Sequence, residues 1–457
     1  MRRLALAALA ILIAGAAPLL AAAPASAHVV PATTIELDVH EDDITAAVTL
    51  PTSDLTTASG IKIPEGEIDE STADAIAGYL GDHFHVSSDD DAWNVTIGDI
   101  ASSETEQWGT GLFPSVTATA TLTAADPDQL RSFVLDYDAI IHQVVTADIF
   151  VILHSDWAAG EVESARDLGT ITLDTASGEV SPLRVDLDDG GLWQGFAGML
   201  TLGVSHIAEG TDHQLFLLTL LLPAPLLAVG RRLRDVAPTG RAVRRITAIT
   251  VAFTIGHSVT LALGTLGLPV PQQPVEALIA VSILIAAAHA VRPLFPGREP
   301  LVAGVFGLVH GMAFSTTLSS LDLSGTQLGL SLLGFNLGIE IMQLVVVLIV
   351  LPPLVVLART RAYTPLRITA SAITAVAATG WLLDRIGISN PVGTAADALG
   401  AASPWIAVAL WVAAIAASLH DGRAQQLVGL RRERVGVDHD EGGDVARAHG
   451  EPAAHAR

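Results

Sequence analysis

The stretch His206-Ile-Ala-Glu209-Gly-Thr-Asp212-His213 brings two imidazoles and two carboxylates together, and the leucine-rich run Gln214–Pro223 follows at once. Imidazole and carboxylate form a plausible ligand set for a divalent transition metal. A carboxylate this close to membrane-like sequence is costly unless it is paired, hydrated or bound to a cation. More polar groups interrupt later apolar runs. His257 lies in Phe253-Thr-Ile-Gly-His-Ser-Val-Thr-Leu261, and His310 in Phe306-Gly-Leu-Val-His-Gly311. Asn336, Glu340 and Gln343 are spaced i, i+4, i+7 and share one helix face. A rise of 1.5 Å per residue puts His257, His310 and Glu340 ~16, ~14 and ~20 Å into their runs, near the middle of a ~30 Å core. Each polar residue alone reads as a hydrogen-bonded tie between helices. Together with Asp212-His213 they read as a cation pathway, because transporters build midplane sites from several helices.

These residues need a membrane scaffold to position them. Half of the 457 residues are hydrophobic, which suits several membrane spans joined to a soluble part. Apolar stretches at 207–229, 246–267, 275–291, 301–321, 327–357, 366–383 and 404–419 predict about seven transmembrane helices. Trp193–Ser205 is also apolar and reads as a re-entrant or interfacial piece, or as the outer part of a kinked first helix. Gly304, Gly307 and Gly311 around His310, and Gly256 beside His257, permit close helix approach. Loops 230–245, 292–300 and 358–367 and the tail after 419 hold 17 Arg, whereas the alternate loops hold only Arg385. The positive-inside rule then places the soluble part outside, the C-terminus in the cytoplasm and an odd number of crossings between them.

Arg2-Arg3, an apolar run and Ala25-Ser26-Ala27 predict a signal peptide over 1–27. Cleavage there would leave His28 first, where its amino group and imidazole together form a chelate suited to Cu(II). Period-2 alternation at Thr34–His40, Ile44–Leu50, Trp93–Asp99, Ser115–Leu122, Ile149–His154 and Leu168–Leu173 predicts a mostly-β extracytoplasmic domain over 28–190. One helix is expected within Asp69–His83. A transmembrane domain over 191–420 and a disordered tail over 421–457 complete the expected organisation. Residues 28–192 hold 32 acids and 4 bases, so nucleic acid is excluded as a partner of this part. The chain has no cysteine, which removes disulfides, thiolate metal sites and Cys nucleophiles. No HExxH, Ser/His/Asp arrangement or ATP-binding motif stands out, so the chain is not expected to be an enzyme.

At these motifs the sequence resembles the HupE/UreJ family, specifically its larger branch with an N-terminal extracytoplasmic domain. The family's first motif, H-P-x-x-G-x-D-H, is matched at His206–His213, with Ile207 in place of the proline. The segments around His257, His310 and Phe335-Asn-Leu-Gly-Ile-Glu340 also look like motifs of that branch, and the resemblance covers about 192–358. It implies a secondary permease for nickel or cobalt, with the metal as substrate and no prosthetic group. Carried over, His206, Asp212 and His213 would recognise the metal; in the permease reading of the polar residues it would pass on to His257, His310 and Glu340, with Asn336 a further candidate ligand. Beyond metal ion and lipid bilayer, no partner is implied. Two alternatives remain open at this stage: a metal-binding membrane sensor or accessory protein that captures copper through His28, and an intramembrane metalloenzyme.

Overall fold

The computed structural model describes residues 31–420 apart from 65, 90, 108–109, 163–164, 175, 230–231, 266–270 and 322. The expected signal peptide, His28 and the tail 421–457 lie outside the described residues. Two compact units emerge, one ending at Asp189 and the other beginning at Gly190, with Ala158–Gly160 grouped with the second.

The first unit is mostly β. Strands β1 (Thr33–Val39) and β2 (Ile44–Pro51) pair antiparallel, and both bury alternate residues such as Ile35, Leu37, Ile44 and Val48. Helices α1 (Thr52–Ser59) and α2 (Glu70–His83) follow; Asp69 caps α2 by accepting the Thr72 N–H. Ser71 and Thr72 hold the Asp69 carboxyl below its usual range. Then come β3 (Phe84–Ser88), β4 (Asp91–Ala92), β5 (Asn94–Gln107), β6 (Gly111–Thr123), β7 (Ser132–Tyr137), β8 (Ile149–Asp156), β9 (Arg166–Ile171), β10 (Leu173–Asp174), β11 (Glu179–Val180) and β12 (Leu183–Asp186). A six-stranded sheet of order β5-β6-β2-β1-β8-β9 and a four-stranded sheet of order β12-β7-β3-β4 share one core. Only β1 and β8 pair in parallel among the pairings described. Phe84, Phe133 and Tyr137 from the smaller sheet meet Ile35, Leu50 and Val151 from the larger in that core. Burial drives the Tyr137 phenol far above its usual range. The six expected strands are present in the larger sheet or beside it. The smaller sheet and α1 were not anticipated, although β3 and β7 bury alternate residues.

The second unit is helical. Its elements are α3 (Leu192–Glu209), α4 (Thr211–Leu221), the hairpin β13 (Leu226–Val229) and β14 (Arg232–Val236), α5 (Thr239–Gly264), α6 (Gln272–Val291) and α7 (Glu299–Ala313). They continue with α8 (Ser315–Ser320), α9 (Gly325–Leu357), α10 (Tyr363–Arg385), α11 (Pro391–Ala401) and α12 (Ser403–His420). Five of these, α5, α6, α9, α10 and α12, are long and apolar enough to cross a membrane, and α7 is a shorter apolar helix. The chain is therefore a multi-pass membrane protein.

The expected single helix over 207–229 is not what forms. Helix α3 stops at Glu209, Gly210 takes a non-helical ψ of 97°, and α4 ends at Leu221. Pro223 and Pro225 then lack the N–H groups that would continue it, and residues 226–229 pair with β14 instead. The apolar piece 193–205 is thus the body of α3, the first half of a broken helix. Two other expected loops contain structure: α11 lies within 384–403, and α5 begins at Thr239 inside 230–245.

Glycines set the helix contacts that matter for the site. Helix α3 runs parallel to α9, where a Cβ on Gly203 would meet the Phe335 carbonyl and one on Gly338 the Leu200 carbonyl. Helix α5 runs parallel to α7 in the same manner, with Gly256 against the Gly304 carbonyl and Gly307 against that of Phe253. Only glycine allows backbones this close.

Candidate metal centre

The break at Gly210 decides where the first motif points. Asp212 sits in the first turn of α4, where the helix dipole favours a negative charge. Its Oδ1 accepts the His213 backbone N–H at 2.8 Å and lies 2.9 Å from His213 Nδ1. His206, at the end of α3, packs its ring 4.6 Å from that of His213. A side chain on Gly210 would meet the His206 carbonyl at 2.5 Å and His213 Nδ1 at 3.1 Å, so this tight junction requires glycine.

Helices α5 and α7 bring the other two imidazoles. His310 Nδ1 lies 3.3 Å from His213 Nε2, and His310 Nε2 lies 3.0 Å from Ser282 Oγ on α6. The proton assignment along this chain depends on how the Ser282 hydroxyl turns. Ser282 can donate its one hydroxyl proton to the Ile279 carbonyl at 2.7 Å. When it does, its oxygen accepts from His310 and Nε2 carries that ring's proton; a hydroxyl turned toward Nε2 instead leaves the proton on Nδ1, which then donates to His213 Nε2. Asp212 likewise takes the Nδ1 proton of His213 and leaves Nε2 as a lone pair. In the first arrangement two lone pairs face each other at 3.3 Å and would favour a cation between them, whereas in the second the contact is a hydrogen bond. Bonds of about 2.0–2.1 Å from one ion to both nitrogens would subtend roughly 104–111°, near the tetrahedral angle.

His257 on α5 is fully buried, and neither of its ring nitrogens makes a hydrogen bond of good geometry, although the Asn336 side chain lies beside the ring. Nε2 of His206 is buried and unpaired as well. Leaving a buried polar group unsatisfied costs about 1–3 kcal/mol each, so these nitrogens favour a ligand. Two groups of donor atoms lie within 4.8 Å of one another: His206, His213 and His257, and Asp212, His213 and His310. Five residues named from the sequence thus converge from α3, α4, α5 and α7.

Asn336 and Glu340 are placed differently. Both face α5 from α9, as their spacing predicts. Ser258 Oγ lies 2.6 Å from Asn336 Oδ1, and Thr254 donates to Glu340 Oε2 at 2.8 Å. Glu340 enters neither donor group, and Asn336 lies beside His257. They tie α9 to α5 beside the centre, a role that Thr254 and Ser258 complete and that spacing alone did not single out. Ser282 was also missed, since a lone serine in an alanine-rich helix carries no periodic signal. His289 is remote: its ring stacks on Phe295 at 4.0 Å, and its Nδ1 accepts the Leu294 N–H.

A cavity of about 470 Å³ opens onto the centre. His206, Asp212, His213 and His310 form its floor, and Glu209, Glu276 and Asp397 add carboxylates to its wall. Arg385 pairs with Glu276 at 2.9 Å, and Trp381 donates to Asp397. The opposite end of the helices is tied by the Arg245–Glu299 pair, with Glu299 buried.

Residues 184–385, which contain the whole centre, match the family model described as HupE / UreJ protein. This stretch is a HupE/UreJ domain. It is wider than the 192–358 marked by the motifs, and a β-rich region precedes it. No curated protein and no solved structure matches the chain. Within the HupE/UreJ domain, the first motif supplies His206, Asp212 and His213, while His257 and His310 come from its later helices.

Proposed function

We propose that the protein is a secondary permease carrying a divalent transition metal, nickel or cobalt, across the membrane. The observation that carries this reading is the convergence of buried imidazoles and a carboxylate at the floor of an acidic cavity. HupE/UreJ is a transporter family associated with nickel and cobalt uptake, which supports the same cargo. Carboxylates in the cavity would gather the cation, and neutral imidazoles would replace its water. With no ATP-binding motif in the sequence, a gradient or the membrane potential drives the movement. The proposed arrangement has the N-terminal domain outside, the C-terminus in the cytoplasm and seven crossings, with α3 and α4 together making the first.

The test is uptake of labelled Ni²⁺, Co²⁺, Cu²⁺, Zn²⁺ and Mn²⁺ by cells expressing wild type or Asp212→Ala at equal membrane level. Wild-type uptake of nickel or cobalt that disappears in the variant is the expected result. Inserted wild-type protein that takes up none of these metals would sink the import reading.

A further inference from the structure

Building on the permease reading, we infer that the centre holds its ion at two successive positions sharing His213, and that the deeper one, His206–His213–His257, selects the metal. The two donor groups have His213 in common. Its Nδ1 is engaged by Asp212, so only Nε2 remains, and one nitrogen serves one ion at a time. The positions are therefore filled in turn.

Their surroundings give the order. All three residues of the first group line the cavity, as do His206 and His213 of the second, so an arriving ion meets these before it meets His257. His257 does not line it and has no exposed surface. Phe335 and Phe253 stand with ring centres 6.2 Å from the His257 ring. An ion passing from His310 to His257 exchanges a ligand that lines the cavity for one that does not.

The chemistry also changes between the positions. The first offers a carboxylate beside its imidazoles. The second offers three nitrogens and no charged ligand. Mg²⁺, Ca²⁺ and Mn²⁺ favour carboxylate, carbonyl and water oxygens, whereas Ni²⁺, Cu²⁺ and Zn²⁺ accept imidazole readily. A hard cation can reach the first position but gains nothing by moving on. His257 is thus the specificity-determining residue, and its two unpaired buried nitrogens are the mark of that role.

The experiment is equilibrium binding of Ni²⁺ and Mn²⁺ to the full chain in nanodiscs, with the His213→Ala chain subtracted to isolate the centre. We expect the difference to be one Ni²⁺ per chain; a difference of two would overturn the shared-ligand inference. His257→Asp introduces an oxygen donor at the deep position, and the preference for Ni²⁺ over Mn²⁺ should then fall. His206→Asp makes the same change from another helix and should shift the preference in the same direction. Wild-type preference retained in both folded variants would overturn the selectivity role. Because the readout is binding, failure of uptake would count against the permease alone.

Discussion

At the scale of single residues, the centre depends on proton positions as much as on ligand identity. Ser282 sets the tautomer of His310 and Asp212 that of His213, and the two settings decide whether the facing nitrogens share a hydrogen bond or both present lone pairs. Ser282→Ala removes the oxygen that sets the His310 tautomer while leaving the helix packing nearly unchanged. Loss of such an orienting partner typically lowers metal affinity about 10–100-fold. Titration of the variant with Ni²⁺ should show that loss, together with a melting curve close to wild type. Unchanged affinity would mean that His310 does not need Ser282 to be oriented. His206, Asp212, His213, His257 and His310 were legible in the sequence because a polar side chain in an apolar run is itself a signal. Ser282 was not legible, because its importance comes from the residue it faces.

At the scale of helices, two glycine-lined pairs hold the centre together: α3 with α9, and α5 with α7. Gly307 illustrates the constraint, since a side chain there would strike the Phe253 carbonyl and crowd the His257 backbone nitrogen. Gly307→Leu should force α5 from α7, with a cost of about 1–3 kcal/mol or more from overpacking. Gly329, also inside α9, has nothing within 4 Å of an added Cβ. Gly329→Ala should therefore be neutral or stabilising by up to about 1 kcal/mol. Thermal unfolding of both variants in detergent checks the contrast, and equal loss at the two sites would contradict close packing as the cause. The glycines beside His257 and His310 were visible as enablers of close approach. Their partners were not visible, because a glycine's sequence position does not say which backbone comes near it. The sequence leaves a kinked first helix open as one reading of 193–205, but it does not place the break at Gly210, because both flanking segments are apolar and composition alone does not separate α3 from α4.

At the scale of the whole molecule, the charge distribution makes orientation testable. The chain has no cysteine, so a single introduced thiol reports its own side of the membrane. Ser177 lies in an exposed turn of the first unit, and Gly240 is exposed at the start of α5 with open space around it. In intact cells, Ser177→Cys should react with a membrane-impermeant maleimide, and Gly240→Cys should react only after permeabilisation. The reverse pattern would invert the proposed topology. By itself the sequence determined what depends on local pattern: the β-rich first region, the apolar segments after it, the absence of thiol chemistry and the ionisable residues set among the spans. Burial follows periodicity and composition within a few residues, which is why these features could be read along the chain. Only the tertiary structure decided that α3 and α4 are separate helices, that Asn336 and Glu340 tie helices beside the centre, and that His213 belongs to two donor groups. Those facts depend on which backbones approach one another and which nitrogen keeps its proton. Both are set by contacts such as His213 with His310, 97 residues apart in the chain, and no local pattern records them.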